Sequence, residues 1–420
     1  MKRAALALLA LALSGPATSA KLTLEEALAS ADAHPDRRLA ESELALARAD
    51  RAQAGSRQDF ALYLDGSLRT GRRPDGDWKP DNVGRIVARK PLFDFGRSGG
   101  AVDAADQEIA ARQAALLDTD NLRRIDIMAR YFDVLLADMQ YAADNEFMAV
   151  GYVSWDNAVD RHEVGQISQP ALLRLEADYQ DLRERRNASL QRMRASRQRL
   201  AHAINRPGEL PADLADPDLR GNDRPIVDYE KLLPWVQAHN PRLRALRAQL
   251  DAADARIGAA RAERNPTLDA EVIGGGYSRD SVTRDELSAG LVFNIPLYQG
   301  ARVDAREARE RALKMRIQAQ LDGLAFELSD ALLATLQEIE WLRGSGRQAA
   351  GKQIEYRDWA LERARAEYEL EMRTNLGSSM AETQMAQLRR KQVEYRLALA
   401  LARLEALSGG SLPPQEEKKE

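Results

Sequence analysis

The chain has 420 residues, with 61 basic and 65 acidic side chains in near balance and no cysteine. Zero cysteines exclude a disulfide framework and thiol chemistry, and the interspersed charges leave no basic stripe for nucleic acid. Aromatic residues are only 5% and 30% of residues are charged. That bias suits long helices touching other helices better than one globular core.

The first twenty residues form a secretory signal. Lys2 and Arg3 make the positive start, Ala4 to Leu13 an apolar stretch, and Thr18 and Ala20 the small residues before cleavage. The apolar stretch is too short to span a bilayer. Lys21 follows, so the cysteine of a lipid-modified export signal is absent and the mature chain is expected to start there. No later run of about 18 apolar residues predicts a transmembrane helix.

From residue 21 the chain repeats itself with a period of about 205 residues. Leu24-Glu-Glu-Ala-Leu28 and His34-Pro35 return as Tyr229-Glu-Lys-Leu-Leu233 and His239-Asn-Pro241. Each is followed by a helix rich in Ala and Arg, 38–57 and 242–264, and then by a pair of strand-like segments. Pro91-Leu92-Phe93 and Pro296-Leu297-Tyr298 close the pairs, and a very long helix follows each. Asn205 to Pro225, rich in Pro, Asp and Gly, reads as the linker between the halves. The expected layout is a signal over 1–20, a first repeat over 21–204, a linker over 205–226, a second repeat over 227–409 and a polar tail over 410–420.

Four strands are expected, at about 60–70, 83–93, 267–277 and 286–297. In the first, Phe60, Leu62, Leu64 and Leu68 share one face, and Tyr63, Asp65, Ser67 and Arg69 the other. In the fourth, Leu287, Ala289, Leu291, Phe293 and Ile295 oppose Ser288, Gly290 and Asn294. The third is weaker, with Leu268, Ala270 and Val272 against Thr267, Asp269 and Glu271. The second is weakest, because Lys90 interrupts the row of Ile86 and Ala88. Polar stretches at 71–82 and 278–285 join the partners of each pair, as an extracellular loop would. Alternation alone favours two amphipathic hairpins on a soluble core. The export signal and the helices reverse that preference toward strands long enough to cross an outer membrane. Four strands cannot close a barrel, and open edges are not tolerated in lipid, so a membrane role requires several chains.

The helices are expected at about 98–164 and 169–204, then 301–372 and 378–408. The two long ones would each run roughly 100 Å. Ile125, Met128, Phe132, Leu135 and Met139 recur at coiled-coil spacing, as do Leu313, Ile317, Leu321, Leu324, Leu328 and Leu332. Each long helix can fold back on its shorter partner as an antiparallel hairpin. The fold class is thus mainly α with membrane β, in two tandem repeats.

Catalysis finds little support, and no cofactor or metal is expected. His34, His162, His202 and His239 show no metal-ligand spacing, and His34 and His239 read as turn residues beside Pro35 and Pro241. Gly274-Gly275-Gly276 lacks the Lys and helix of a phosphate loop.

The order of elements, with Leu22-Thr-Leu-Glu-Glu-Ala-Leu28 and the two Pro-Leu-Phe/Tyr signatures, resembles the TolC-like outer membrane efflux family from Leu22 to about Gly409. The resemblance implies a homotrimer with one twelve-stranded barrel in outer-membrane lipid and a periplasmic tunnel of helices. It implies a passive exit duct for a tripartite efflux or type I secretion system, fed by an inner-membrane pump through a periplasmic adaptor. It implies that Tyr63, Asp65, Ser67 and Arg69 face the lumen, and that Phe60, Leu62, Leu64, Leu287, Leu291 and Phe293 face lipid. The helix breaks Val164-Gly165-Gln166-Ile167-Ser168 and Met372-Arg373-Thr374-Asn375 would be the tip that docks the adaptor. Tyr368 and Arg373 match the family's tip lock, whereas Pro170-Ala171 stand where its acidic partner belongs, and Gly377 and Met380 replace its acidic ring. Glu369, Glu371 or Glu382 could supply that charge. The competing class is a periplasmic coiled-coil adaptor or scaffold without membrane strands.

Overall fold

A computed structural model describes residues 21–30, 34–72, 76–278, 285–370 and 376–414. The expected signal over 1–20 lies outside the described residues. Helices α1 (Leu24–Ala29) and α2 (Pro35–Ser56) precede strands β1 (Ala61–Ser67), β2 (Thr70–Arg72), β3 (Trp78–Pro80) and β4 (Val83–Phe93). Then come α3 (Arg97–Glu163), α4 (Gln169–Ala203), α5 (Tyr229–His239) and α6 (Pro241–Arg261). Strands β5 (Thr267–Tyr277) and β6 (Leu287–Asn294) lead into α7 (Arg302–Trp341), α8 (Arg347–Glu369) and α9 (Leu376–Leu407). No described helix is long and apolar enough to cross a membrane.

Contacts sort the chain into two units. A sheet unit gathers 39–118 and 237–328, and a helical unit gathers the chain up to Arg38 with 119–236 and 329–420.

In the sheet unit, β1, β4, β5 and β6 form one antiparallel sheet in that order. The halves of the repeat therefore meet at β4 and β5. The polar stretch at 71–82, read from sequence as a plain loop, contains part of a second small ribbon in which β2 pairs with β3. A bulge falls between Pro91 and Phe93, where proline has no N–H for the ladder. The helices stand in the order of the strands they continue. Arg51–Asp106 and Arg112–Glu43 tie α2 to α3. Arg256–Glu108 ties α3 to α6, where Gly100 leaves room only for the Ala255 carbonyl and Ala259. Lys314–Asp254 and Arg261–Glu307 tie α6 to α7.

The helical unit holds two apolar cores. One contains Ala27, Ile127, Val134 and Leu200. The other contains Leu232, Leu332, Ile339 and Leu404, so the first three of these repeat the first core at a constant offset of 205. Phe132 stacks on Tyr395 at 4.5 Å, joining α3 to α9. The Tyr131 hydroxyl lies 2.8 Å from the Leu22 carbonyl and 2.5 Å from that of Ala215, and burial pushes its pKa up to about 12. A parallel bridge between Leu22 and Leu214 lies beside it, so the segment before α1 is stitched to the linker.

The linker is also clamped. A single π-helical turn, Leu342–Gly346, separates α7 from α8. From that turn Arg343 donates to the carbonyls of Asn222 and Arg224, each at 2.6 Å. Arg347 grips Glu394 through two bonds of 2.8 Å and Asp223 at 2.5 Å. The Asn222 amide, buried, donates to the Glu394 carboxylate at 2.9 Å. Burial pushes the Glu394 carboxyl up, but bonds from Arg347 and Asn222 outweigh it and hold the group below its ordinary range. The Arg347 hydrogen bond does the same for Asp223. Carboxylates with lowered folded pKa values stabilise the fold above their unfolded pKa, and that contribution fades as pH falls through the folded values. Arg347→Met should therefore cost about 2 kcal/mol at pH 7. It should also flatten the loss of stability on acidification below about pH 4.5. Denaturant unfolding of the purified protein at pH 7 and pH 4 measures both, and an unchanged slope would refute the clamp.

Candidate functional site

The sheet register separates two faces. On one, cross-strand rows run Leu64–Ile86–Gly274–Leu287 and Leu62–Ala88–Val272–Ala289. Below them lie Lys90–Ala270–Leu291 and Phe93–Leu268–Phe293. This face is apolar throughout except for Lys90, whose Nζ turns to the Gln58 carbonyl at 2.5 Å. It is also bare: Leu64 is 78% exposed and Leu287 73%.

The opposite face carries Tyr63, Asp65 and Ser67 of β1. Asp65 sits directly across from Arg85 and pairs with it at 2.5 Å. Arg89 sits across from Glu271 and bonds to it in turn. Val87, between Tyr63 and Ile273, is only 4% exposed. Side chains on this face are on the whole less exposed than those on the apolar one. Among the candidate residues, Phe60 lies one position before β1 and Arg69 lies beyond its end, paired with Asp81 at 3.5 Å. The glycines at 274–276 are paired strand residues of β5, not part of a loop.

Both outer strands, β1 and β6, have one neighbour each among the described residues. Their outer backbone groups form two open ladders, and open ladders do not persist in lipid or stay monomeric in water.

The second candidate region is the turn between α3 and α4. Gly165 has φ +76°, its N–H donates to the His162 carbonyl at 2.9 Å, and Gln166 N–H donates to the Arg161 carbonyl at 2.8 Å. This is a Schellman closure, and its left-handed residue favours glycine. The His162 ring reinforces the turn: Nδ1 lies 3.0 Å from the Ile167 carbonyl, which requires the proton on that nitrogen. Pro170 falls at the start of α4, where its missing N–H is harmless. The turn therefore gathers Val164, Gln166, Ile167 and Ser168 in one closed loop, with Val164 69% exposed. Behind it Trp155 stacks on Tyr179 at 5.4 Å, and Tyr152 packs edge-on at 5.7 Å.

At the other hairpin Tyr368 and Glu369 end α8, both exposed. Met372, Arg373, Thr374, Asn375 and Glu371 lie outside the described residues. Glu382 is engaged by Arg357. Gly377 lies so near α3 that a Cβ there would stand 2.7 Å from Val150 Cγ2. Sequence reasoning passed over Arg343, Arg347 and Asn222; the signal available was the pair Gly344 and Gly346 inside a helical run. Among the described residues no group of His, Asp and Glu could hold a metal ion.

The sheet thus has one bare apolar face and, among the described residues, two open edges. Residues 232–410 match the family described as outer membrane efflux protein. No curated protein sequence matches it. Solved structures show the same fold. The outer membrane protein VceC of Vibrio cholerae has 19% identity and a TM-score of 0.71, over 92% of this chain and 96% of that one. The outer membrane channel CmeC of Campylobacter jejuni has 14% identity and a TM-score of 0.75, over 92% and 85%. The outer membrane channel MtrE of Neisseria gonorrhoeae has 19% identity and a TM-score of 0.71, over 92% and 89%.

Gly165→Ala should destabilise the turn by about 1 kcal/mol, because alanine resists a positive φ. Gly258→Ala in the open interior of α6 should instead stabilise by roughly 0.5–1 kcal/mol. Thermal unfolding of the two variants checks the contrast, and a neutral Gly165→Ala would show that the turn relaxes.

Proposed function

We propose that this protein is the outer-membrane exit duct of an efflux system, passing substrate from the periplasm to the outside without an energy source of its own. The observation that carries the reading is the sheet: its bare apolar face suits lipid, its polar face suits a water-filled lumen, and its edges demand further copies. The match of residues 232–410 to the outer membrane efflux family and the likeness in fold to solved outer-membrane channels support the same reading.

In this reading three chains would close a twelve-stranded barrel. Leu62, Leu64, Leu287, Leu291 and Phe293, with Phe60 at the rim, would face lipid. Tyr63, Asp65 and Ser67 would face water, and Arg69 would stand at the outer mouth. The cross-strand pairs Asp65–Arg85 and Arg89–Glu271 would line the lumen without a strong net charge. The Schellman turn at Val164–Ser168 and the segment 372–375 would present the ends of the two hairpins to a periplasmic adaptor, which links the duct to an inner-membrane pump. Tyr368 and Glu369 would contribute to closing that end. A soluble adaptor offers no reason for the exposed apolar rows of this sheet.

Leu64→Arg and Leu291→Arg should each cost about 2–4 kcal/mol at the lipid face and prevent assembly. Ser67→Arg, on the polar face, should leave assembly intact. The measurement is membrane fractionation followed by unheated detergent gels. Wild-type oligomer in both leucine variants, or recovery of the native protein entirely in the soluble periplasm, would refute the duct.

A further inference from the structure

A cavity of about 710 Å³ lies in the sheet unit and touches α2, α3, α6 and α7 together. Both outer helices of the four-helix layer contribute to it, so the layer curves around the cavity, which occupies its hollow side. Its floor is alanine from three helices, including Ala54 of α2, Ala101 and Ala104 of α3 and Ala259 of α6. Small side chains here leave a smooth apolar bowl where larger ones would fill it. Arg57, Arg97, Arg256, Arg302 and Arg306 stand around the bowl, opposed by Asp50, Glu108, Glu263 and Glu310.

Most of that charge is already matched. Glu263, buried, takes Arg306 and lies 3.4 Å from Arg302. Glu108 lies 3.3 Å from Arg256 and 3.4 Å from Arg112, and Glu310 takes Arg309 at 2.6 Å. Two cations, Arg57 and Arg97, and one anion, Asp50, are left without an ion pair among the described residues. Arg57, exposed at the rim, has no hydrogen bond or ion pair among the described residues and is met by water. Arg97 gives one nitrogen to the Glu263 carbonyl at 3.3 Å, while its buried Nε has no partner. A buried guanidinium N–H without an acceptor is costly, and a carboxylate or phosphate oxygen is the acceptor that best repairs it.

We propose that this cavity binds anionic amphiphiles: a carboxylate, sulfonate or phosphate on a compact apolar body, the anion on Arg57 and Arg97 and the apolar part on the alanine floor. Cargo in transit and membrane lipid both carry this chemistry. The binding site itself stands on the cavity, and only the cargo role rests on the duct reading.

The test uses the full-length protein in a neutral detergent, with 1-anilinonaphthalene-8-sulfonate as the fluorescent probe. Arg57→Gln/Arg97→Gln should weaken probe binding at least tenfold, and Ala104→Trp, which fills the bowl, should abolish it. Arg57→Lys/Arg97→Lys should retain most of it, which separates lost charge from lost folding. Decanoate should displace the probe and decyltrimethylammonium should not. Displacement by dihexanoyl-phosphatidylglycerol at tenfold lower concentration than decanoate assigns the site to lipid, and the reverse order to cargo. Unchanged binding in both Arg57→Gln/Arg97→Gln and Ala104→Trp overturns the proposal, as does equal displacement by the cation. A failed duct reading would appear separately, as absence of the outer-membrane oligomer, and would leave the probe result standing.

Discussion

Backbone hydrogen bonding at the sheet edges is the constraint on which the rest of this protein depends. A central strand satisfies its N–H and C=O groups on both sides, as β4 and β5 do, but β1 and β6 each leave one side open. Every other property of the sheet is tuned around that deficiency. The chain places its two repeats in contact through β4 and β5, so both open edges belong to outer strands and both can be completed by the same operation, another copy of the sheet. Charges are sorted to one face as cross-strand pairs rather than as isolated groups. The one cation on the apolar face, Lys90, folds its amine back onto the Gln58 carbonyl.

Much of this was legible in the chain itself, and the exceptions have physical causes. The alternation of Phe60 to Leu68 and of Leu287 to Ile295 identified both faces of β1 and β6, because an outer strand with one bare face has a clean period of two. Strand β4 read as the weakest, yet it is one of the two longest, at 11 residues. Arg85, Arg89 and Lys90 obscured it: their partners Asp65, Glu271 and the Gln58 carbonyl are distant in sequence and only the register brings them near. The ribbon of β2 and β3 escaped notice because strands of three residues are shorter than any periodic signal. The turn at Val164–Ser168 was readable from Gly165. The cavity was not, since seven alanines on three helices say nothing about what they surround.

The helical unit shows how a repeat is turned into one structure. Equivalent residues build two cores, but α9 serves both: Tyr395 and Ala398 belong to the first, Leu397, Leu401 and Leu404 to the second. Neither core can be dismantled without the helix the other needs. The linker, rich in residues that break regular structure, gains order from outside itself through Arg343, Arg347 and the Leu22–Leu214 bridge. Its conformation is thus set by segments distant from it in sequence, one from each repeat.

The π turn at Leu342–Gly346 also sets the phase of the helix that carries it. One wide turn rotates everything after it by about 100° relative to a regular helix. The apolar stripe of α7, with Leu332 and Ile339, is therefore not carried straight on into α8, and the turn is where the helix exchanges an apolar contact for the linker. Arg343 and Arg347 meet the linker from within and just after that turn, so the same irregularity that breaks the stripe supplies the grip.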